Sequence, residues 1–314
     1  MDGLAGFLDG PRARGAFLLR SVLEPPWSLR IEDESQLTVV AVVRGTAWIV
    51  SAGEDAVSLS AGDVAIVSGS EPYTVADSPR TAPQVRILPG QVCVDLTGAS
   101  MADQMSLGVR MWGNSATGST TLLTGTYQGD GEVSRRLLSA LPRVLRLRTD
   151  EWDSPIIRVL ADEITKDDAG QEAVLDRLLD VLLVSVLRTW FARQGSKAPS
   201  WYAAQSDPVV GPALRLLENN PQRPWTVEDL ARYSGVSRAT LARRFTEVVG
   251  EPPIAFLTGW RLALAADLLR AREMTVARVA RAVGYGSPFT FSTAFKRHYG
   301  YSPQDCRRGL RASA

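Results

Sequence analysis

Apolar positions along this chain of 314 residues follow two different periods. Between Leu37 and Leu96 they gather in short runs, LTVVAVV, TAWIVS, AVSLS, DVAIVS, QVRIL and VCVDL. Turns at Arg44-Gly45, Ala52-Gly53-Glu54, Ala61-Gly62 and Ser68-Gly69-Ser70 part them. Runs this short and this closely spaced predict the strands of a small β sandwich or barrel. A strand or helix over Ala16 to Leu23 and a strand pair over Leu107 to Trp112 and Thr120 to Tyr127 extend the same unit. After Gly131 the period becomes helical. It predicts helices over Glu132 to Leu141, over Ile156 to Thr165, and over Gln171 to Arg193. In the last of these Ala173, Val174, Leu178, Leu182, Val186 and Trp190 recur at helical spacing. That helix can pack on the β unit or form a seam with a second copy, and the pattern does not choose between them. Gln194 to Asp207, with Gly195, Ser196, Pro199, Ser200 and Ser206, reads as a linker.

Beyond a leading helix over Val209 to Glu218, the stretch Trp225 to Phe245 offers two helix starts in quick succession. Thr226 can cap a helix from Val227, and Ser237 a second one from Arg238. Ser234-Gly235-Val236 lies between them, with glycine where the first helix must stop and enter the left-handed region. Leu230, Val236, Leu241 and Phe245 supply the apolar contacts of a helix-turn-helix. The same motif returns from Thr275 to Phe295. Leu230-Ala231, Gly235 and Val236 correspond to Val279-Ala280, Gly284 and Tyr285 at an offset of 49; Leu241, Phe245, Gly250 and Pro253 correspond to Phe291, Phe295, Gly300 and Pro303 at an offset of 50. One residue has been added in the second turn. Ile254 to Arg270, led by Pro252-Pro253, predicts a long amphipathic helix joining the copies.

These residues carry a family resemblance. Gly284-Tyr285-Gly286-Ser287-Pro288, Phe291, Ala294-Phe295-Lys296-Arg297, Gly300 and Ser302-Pro303, with the first-copy run Leu230 to Phe245, resemble the DNA-binding domain of the AraC/XylS family of bacterial transcription regulators. Arg44-Gly45 to Trp48, Val57-Ser58-Leu59, Ala61-Gly62-Asp63-Val64 and Pro72-Tyr73 to Pro79 are similar to the cupin-type ligand domain that many such regulators carry. The resemblance implies an α+β multidomain protein. Residues 1–130 form a cupin-like β-barrel sensor with a helical appendage over 131–194 that is a candidate dimerisation segment. A linker over 195–206 leads to an all-α domain, 207–314, of two helix-turn-helix motifs joined by a linker helix. It also implies a cytoplasmic, nucleoid-associated homodimer that binds double-stranded promoter DNA, answers to a small-molecule effector and works with RNA polymerase. An effector-independent DNA-binding or partner-binding protein with a purely structural barrel is the alternative.

Charge sharpens this picture. Residues 207 to 314 hold 16 Lys+Arg against 9 Asp+Glu, or +7, and the remainder 35 − 16 = 19 against 34 − 9 = 25, or −6. A basic third on an acidic body suits a tethered nucleic-acid module. The apolar-rich run Val181 to Val186 is far too short to span a bilayer. Cys93 and Cys306 fall in different predicted domains, which argues against a disulfide or a cysteine zinc site. His298 is the only histidine and lies in the DNA-binding part, so a histidine-held metal in the barrel is excluded and no cofactor is expected. With no histidine base there, no Gly-x-Ser-x-Gly and no phosphate loop, an enzyme on this scaffold is not expected.

The first reading helix presents Arg238, Ala239, Ala242 and Arg243 as base contacts. Arg243 leads, because its guanidinium can bond guanine twice, although a phosphate clamp fits the same residue. The second presents Phe289, Thr290 and Thr293 beside Pro288 and Ser292. Thr293 stands where many relatives carry arginine, which favours thymine methyls or backbone anchoring over guanine readout. Ser237, Arg244, Ser287, Lys296 and Arg297 are the phosphate candidates, and Arg244 can equally pack. In the barrel, Trp48 and Tyr73 are the candidate effector contacts, with ordinary core packing as the other reading.

Overall fold

Alternation of inward and outward side chains places the first half of the chain in two stacked sheets. The computed structural model describes residues 17–127, 138–152, 154–195, 199–270 and 273–309. Strands β1 (Phe17–Leu23), β2 (Ser28–Ile31), β3 (Leu37–Arg44), β4 (Thr46–Ser51), β5 (Val57–Ser60) and β6 (Val64–Ser68) lead the chain. They are followed by β7 (Tyr73–Ala76), β8 (Val85–Leu88) and β9 (Val92–Asp95), then the short helix α1 (Ala102–Met105). Strands β10 (Ser106–Gly108), β11 (Met111–Trp112), β12 (Thr120–Tyr127) and β13 (Val144–Leu147) complete the unit. One sheet runs β10-β11-β1-β12-β3-β6-β13 and the other β5-β4-β7-β2-β8-β9. Leu23, Val40, Val42 and Leu122 from the first meet Ala47, Ile49, Leu59 and Val75 from the second in one buried cluster. The barrel expected from the resemblance is therefore a two-sheet sandwich with mixed sheets, as packing of two inner apolar faces allows without closure.

Strand β3 is buried on both faces over Leu37–Val42, because helices cover its outer side. Helix α2 (Ile156–Glu163) buries Ile156, Ile157 and Leu160, and α3 (Gln171–Gln194) buries Leu175, Leu179, Leu182, Leu183, Val186 and Leu187. Gly125 of β12 makes room for α3, since a Cβ there would stand 2.5 Å from a methyl of Leu179. Of the two partners the sequence left open for α3, the seven-stranded sheet takes this face. Val174 and Val181 remain 44% and 50% exposed on the other side. The helix expected over Glu132 to Leu141 lies largely outside the described residues.

The remaining helices form the second compact unit, which begins at Phe191. Here the predicted linker differs. Ser200–Ser206 is a helix, α4, whose Ala204 is fully buried in one cluster with Val210, Ala213 and Leu214 of α5 (Val210–Asn219), so these residues belong to a core. Next come α6 (Val227–Tyr233), α7 (Arg238–Val249), α8 (Pro253–Arg270), α9 (Val276–Ala282), α10 (Pro288–Tyr299) and α11 (Pro303–Arg308). Helix α8 is not amphipathic as expected. Its Phe256, Leu257, Trp260 and Ala263 enter one cluster with Trp225, Leu230, Leu241 and Phe245, while Leu262, Ala265, Ala266 and Leu269 enter another with Val279, Phe291 and Phe295. A helix shared between two cores must be apolar on most of its circumference.

Candidate nucleic-acid interface and inter-sheet cavity

Local side-chain chemistry builds each half of the repeat the same way. Thr226 and Asp229 form a capping box at the start of α6, and the Ser237 hydroxyl accepts from the Thr240 N–H at the start of α7. In the second copy Thr275 accepts from the Arg278 N–H and Ser287 from the Thr290 N–H. The turns close through equivalent hydrogen bonds, Val236 N–H to Ala231 O at 3.1 Å and Tyr285 N–H to Ala280 O at 2.8 Å. Both second helices stop at glycines in the left-handed region, Gly250 and Gly300.

With Leu241 and Phe245 turned inward, Arg238, Ala239 and Arg243 are exposed and Ala242 half-buried on the opposite face of α7. In α10, Phe291 and Phe295 turn inward and leave Phe289, Thr290, Thr293, Lys296 and Arg297 exposed; Phe289 stands 82% exposed, unusual for an aromatic side chain. The Ser292 hydroxyl donates back to Pro288 O at 2.8 Å. Ser237 and Ser287, phosphate candidates by sequence, already spend their hydroxyls on the helix caps, so an anion there would meet the first backbone N–H groups beside them.

The arginines of α7 divide by partner. Arg243 Nη1 lies 2.7 Å from Glu247 Oε1, one turn on and exposed, so it is held loosely. Arg244 also faces Glu247, Nη1 to Oε2 at 3.7 Å, but its closer partner lies just ahead of α5: its Nε and Nη2 stand 3.0 and 2.9 Å from Asp207 Oδ2. Asp207 Oδ1 accepts the Val209 and Val210 N–H groups, both at 2.9 Å, in the turn that leads into α5. The geometry thus gives Arg244 the packing alternative, tying the reading helix to the leading helix. Burial raises the Asp207 pKa, but the two backbone hydrogen bonds and Arg244 outweigh it and hold the carboxyl below its usual range. A lowered native pKa contributes stability that is complete above the unfolded value and is lost as pH falls through the native one. Asp207→Asn is accordingly expected to cost about 1 kcal/mol in urea unfolding near neutral pH, with the deficit shrinking in acid. A deficit that persists undiminished in acid would contradict the assignment.

Three residues here escaped the sequence reading. Glu247 had a signal, its i,i+4 spacing from Arg243. Asp207 had a partial one, an aspartate just ahead of a helix start, although its ion pair with Arg244 spans 37 positions; Arg261 had none, since its partners are distant in the chain. Arg261 of α8 donates from Nε to Pro221 O at 2.6 Å and from Nη2 to Arg223 O at 2.8 Å, pinning the loop before α6.

In the sandwich, a cavity of about 110 Å³ opens between the sheets, with Asp33, Tyr73, Gln91, Cys93, Trp112 and Thr126 among its walls. Tyr73, one of the two effector candidates, lines it. Trp48 does not: it lies on β4 between the inward Ala47 and Ile49, so the strand's period of two turns it to the outer face. Burial pushes the Cys93 thiol up to about 11 despite a hydrogen bond with Trp112, and such a thiol is unreactive. Among the described residues, no group of three or more His, Cys, Asp or Glu side chains could hold a metal, and no helix is long and apolar enough to cross a membrane.

Comparison with known proteins agrees with both halves. A family model described as "Cupin" matches residues 2–192, and one described as "Helix-turn-helix domain" matches residues 230–309. The chain is 30% identical over 313 residues to a putative AraC-like transcription regulator of Streptomyces lividans, covering 98% of each chain. It is 24% identical over 314 residues to the regulator AlkR of Acinetobacter baylyi, covering 98% of this chain and 99% of that one. Among solved structures, the DNA-binding domain of the global transcriptional factor AdpA in complex with target DNA is 33% identical over 33% of this chain and 93% of that one, with a TM-score of 0.31. Two capped helix-turn-helix motifs on a shared helix, preceded by a cupin-type sandwich and matched along the whole chain, place this protein in the AraC/XylS family of DNA-binding transcription regulators.

Proposed function

We propose that this regulator reads promoter DNA through α7 and α10 and that a small molecule in the inter-sheet cavity sets its affinity. The observation that carries the reading is the pairing of two solvent-facing helix surfaces with a cavity whose walls are part polar and part apolar. Arg238, Ala239, Ala242 and Arg243 contact bases, as do Phe289, Thr290 and Thr293, the last three through apolar contact with thymine methyls. Lys296 and Arg297 contact phosphates. RNA polymerase is the partner through which bound protein acts on transcription, and the cytoplasm is where it works; binding, not catalysis, is its activity. Footprinting on DNA flanking its own gene, with and without cell metabolites, tests the whole reading. Protection that no metabolite alters would leave a regulator with a structural sandwich.

Counterion release makes a second test. Each phosphate neutralised contributes about −0.9 to the slope of log affinity against log salt. Lys296→Ala and Arg297→Ala are each expected to reduce that slope by about one and to weaken binding equally on all sequences. An unchanged slope would leave these side chains as a solvated face.

A second copy of the chain is the partner proposed for the outward side of α3, where Val174, Leu178 and Val181 line up one turn apart. Val181→Glu is expected to shift sedimentation from dimer to monomer and to remove the dependence of the unfolding midpoint on protein concentration. A monomeric unaltered protein would remove this proposal.

A further inference from the structure

Resting on the reading of the cavity as an effector site, we propose that its ligand is a compact organic cation, a short-chain or small-ring primary amine. The cavity holds one formal charge. Asp33 follows β2 and is 5% exposed; its carboxylate accepts from the Ser35 N–H at 3.1 Å, the Ser35 hydroxyl at 2.8 Å and Gln91 Nε2 at 2.8 Å. A carboxylate has about four acceptor positions, so one stays open. Glu34 and Gln91, neither of them glycine, adopt φ of 58° and 61°, the left-handed conformation that persists only where surroundings enforce it. Gln91, which bonds Asp33, and Glu34, its chain neighbour, are thus both set by unfavourable backbone, a pattern characteristic of ligand sites.

No positive side chain lines the cavity to answer this charge. Arg30 and Arg86 both pair with Glu32, which points away from Leu29 and Ile31. Arg143 lies 5.8 Å over the Tyr73 ring and bonds the Ser68 and Glu71 carbonyls. The remaining wall combines apolar Leu19, Leu29, Ile31, Ile87 and Trp112 with the hydroxyl-bearing Ser21 and Thr124. An anion would meet the Asp33 charge with no cation to offset it, and a neutral alkane would leave polar groups unanswered. Thr126 supplies a second, independent observation: its Oγ1 faces no hydrogen-bond partner although the residue is 2% exposed and lines the same cavity. Of the five such buried hydroxyls among the described residues, it is the one that belongs to the cavity wall. An ammonium group offers three donors and no acceptor, which is what an open carboxylate position and an unpartnered hydroxyl oxygen both take. Size fixes the rest: at about 110 Å³ the cavity is smaller than the ~150 Å³ that holds a benzene ring, so the apolar portion is a few carbons.

The test compares n-butylamine, n-butanol and butyrate on the full chain, by thermal shift and calorimetric titration, and repeats the titrations with target DNA. Butylamine is expected to bind about tenfold more tightly than butanol, with butyrate not binding. Asp33→Asn should erase the preference of amine over alcohol while butanol still binds; Thr126→Val, nearly isosteric, should weaken the amine about fivefold and gives the same answer should the first variant not fold. Butanol or butyrate binding as well as the amine overturns the assignment, and so does the absence of binding by all three. Selective amine binding that leaves DNA affinity unchanged keeps the amine site and removes the effector role; a metabolite other than an amine that alters DNA affinity does the reverse.

Discussion

Gly284→Ala is expected to destabilise the C-terminal unit by about 2–5 kcal/mol, whereas its counterpart Gly235→Ala costs about 1–2 kcal/mol. Both glycines make the turn of a helix-turn-helix in the left-handed region, with φ of 88° and 69°. A methyl at position 235 meets nothing within 4 Å, so only the backbone penalty applies. At position 284 the methyl would stand 2.7 Å from Gln222 Cα and 2.8 Å from Gln222 O. These are backbone atoms in a loop that cannot retreat: Arg261 holds its carbonyls at Pro221 and Arg223, and Trp225 Nε1 donates to Asn220 O at 3.0 Å. Urea midpoints followed by the fluorescence of the buried Trp225 and Trp260 would read the difference. Equal losses for the two variants would show that the second turn is no more crowded than the first.

Arg243→Ala should weaken binding to the specific site by about 1–3 kcal/mol, roughly 5- to 150-fold, and relax the preference at one base. Its contact with Glu247 does not forbid this. An exposed i,i+4 pair is worth about 0.3–0.5 kcal/mol, well below the discrimination of a bidentate guanine contact, so DNA bound as proposed would displace Glu247. Glu247→Gln is therefore expected to leave base preference intact. Titrations on the site and on each single-base variant decide the matter; a uniform loss across all sequences would make Arg243 a phosphate contact.

How much of this was legible in the sequence depended on how local the cause was. The repeat could be read because caps and turn glycines act within a few residues: Thr226, Ser237, Thr275 and Ser287 all cap where expected. The strands could be read for the same reason. The closure of the sheets could not, because it depends on which edges pair. Ser200–Ser206 looked like a linker from its serines and Pro199, yet Ala204 draws it into a core that no local signal announces. Trp48 and Tyr73 are both aromatic residues on strands, and only register separates the one facing out from the one lining the cavity. Asp33 and Gln91, 58 positions apart, meet through the pairing of β2 with β8 and carry no pattern in common.

The shared helix α8 has a consequence for the DNA itself. A duplex turns once in about 10–10.5 base pairs, so each pair inserted between two recognition sequences rotates the farther one by roughly 35° about the axis. Two readers on a flexible tether could follow that rotation. Readers whose cores are built on opposite faces of one helix, with Arg261 fastening the loop of the first against the turn of the second, have no slack to do so. If α7 and α10 read the duplex as proposed, the protein would measure torsional phase as well as base identity, and spacing would become part of the sequence it recognises.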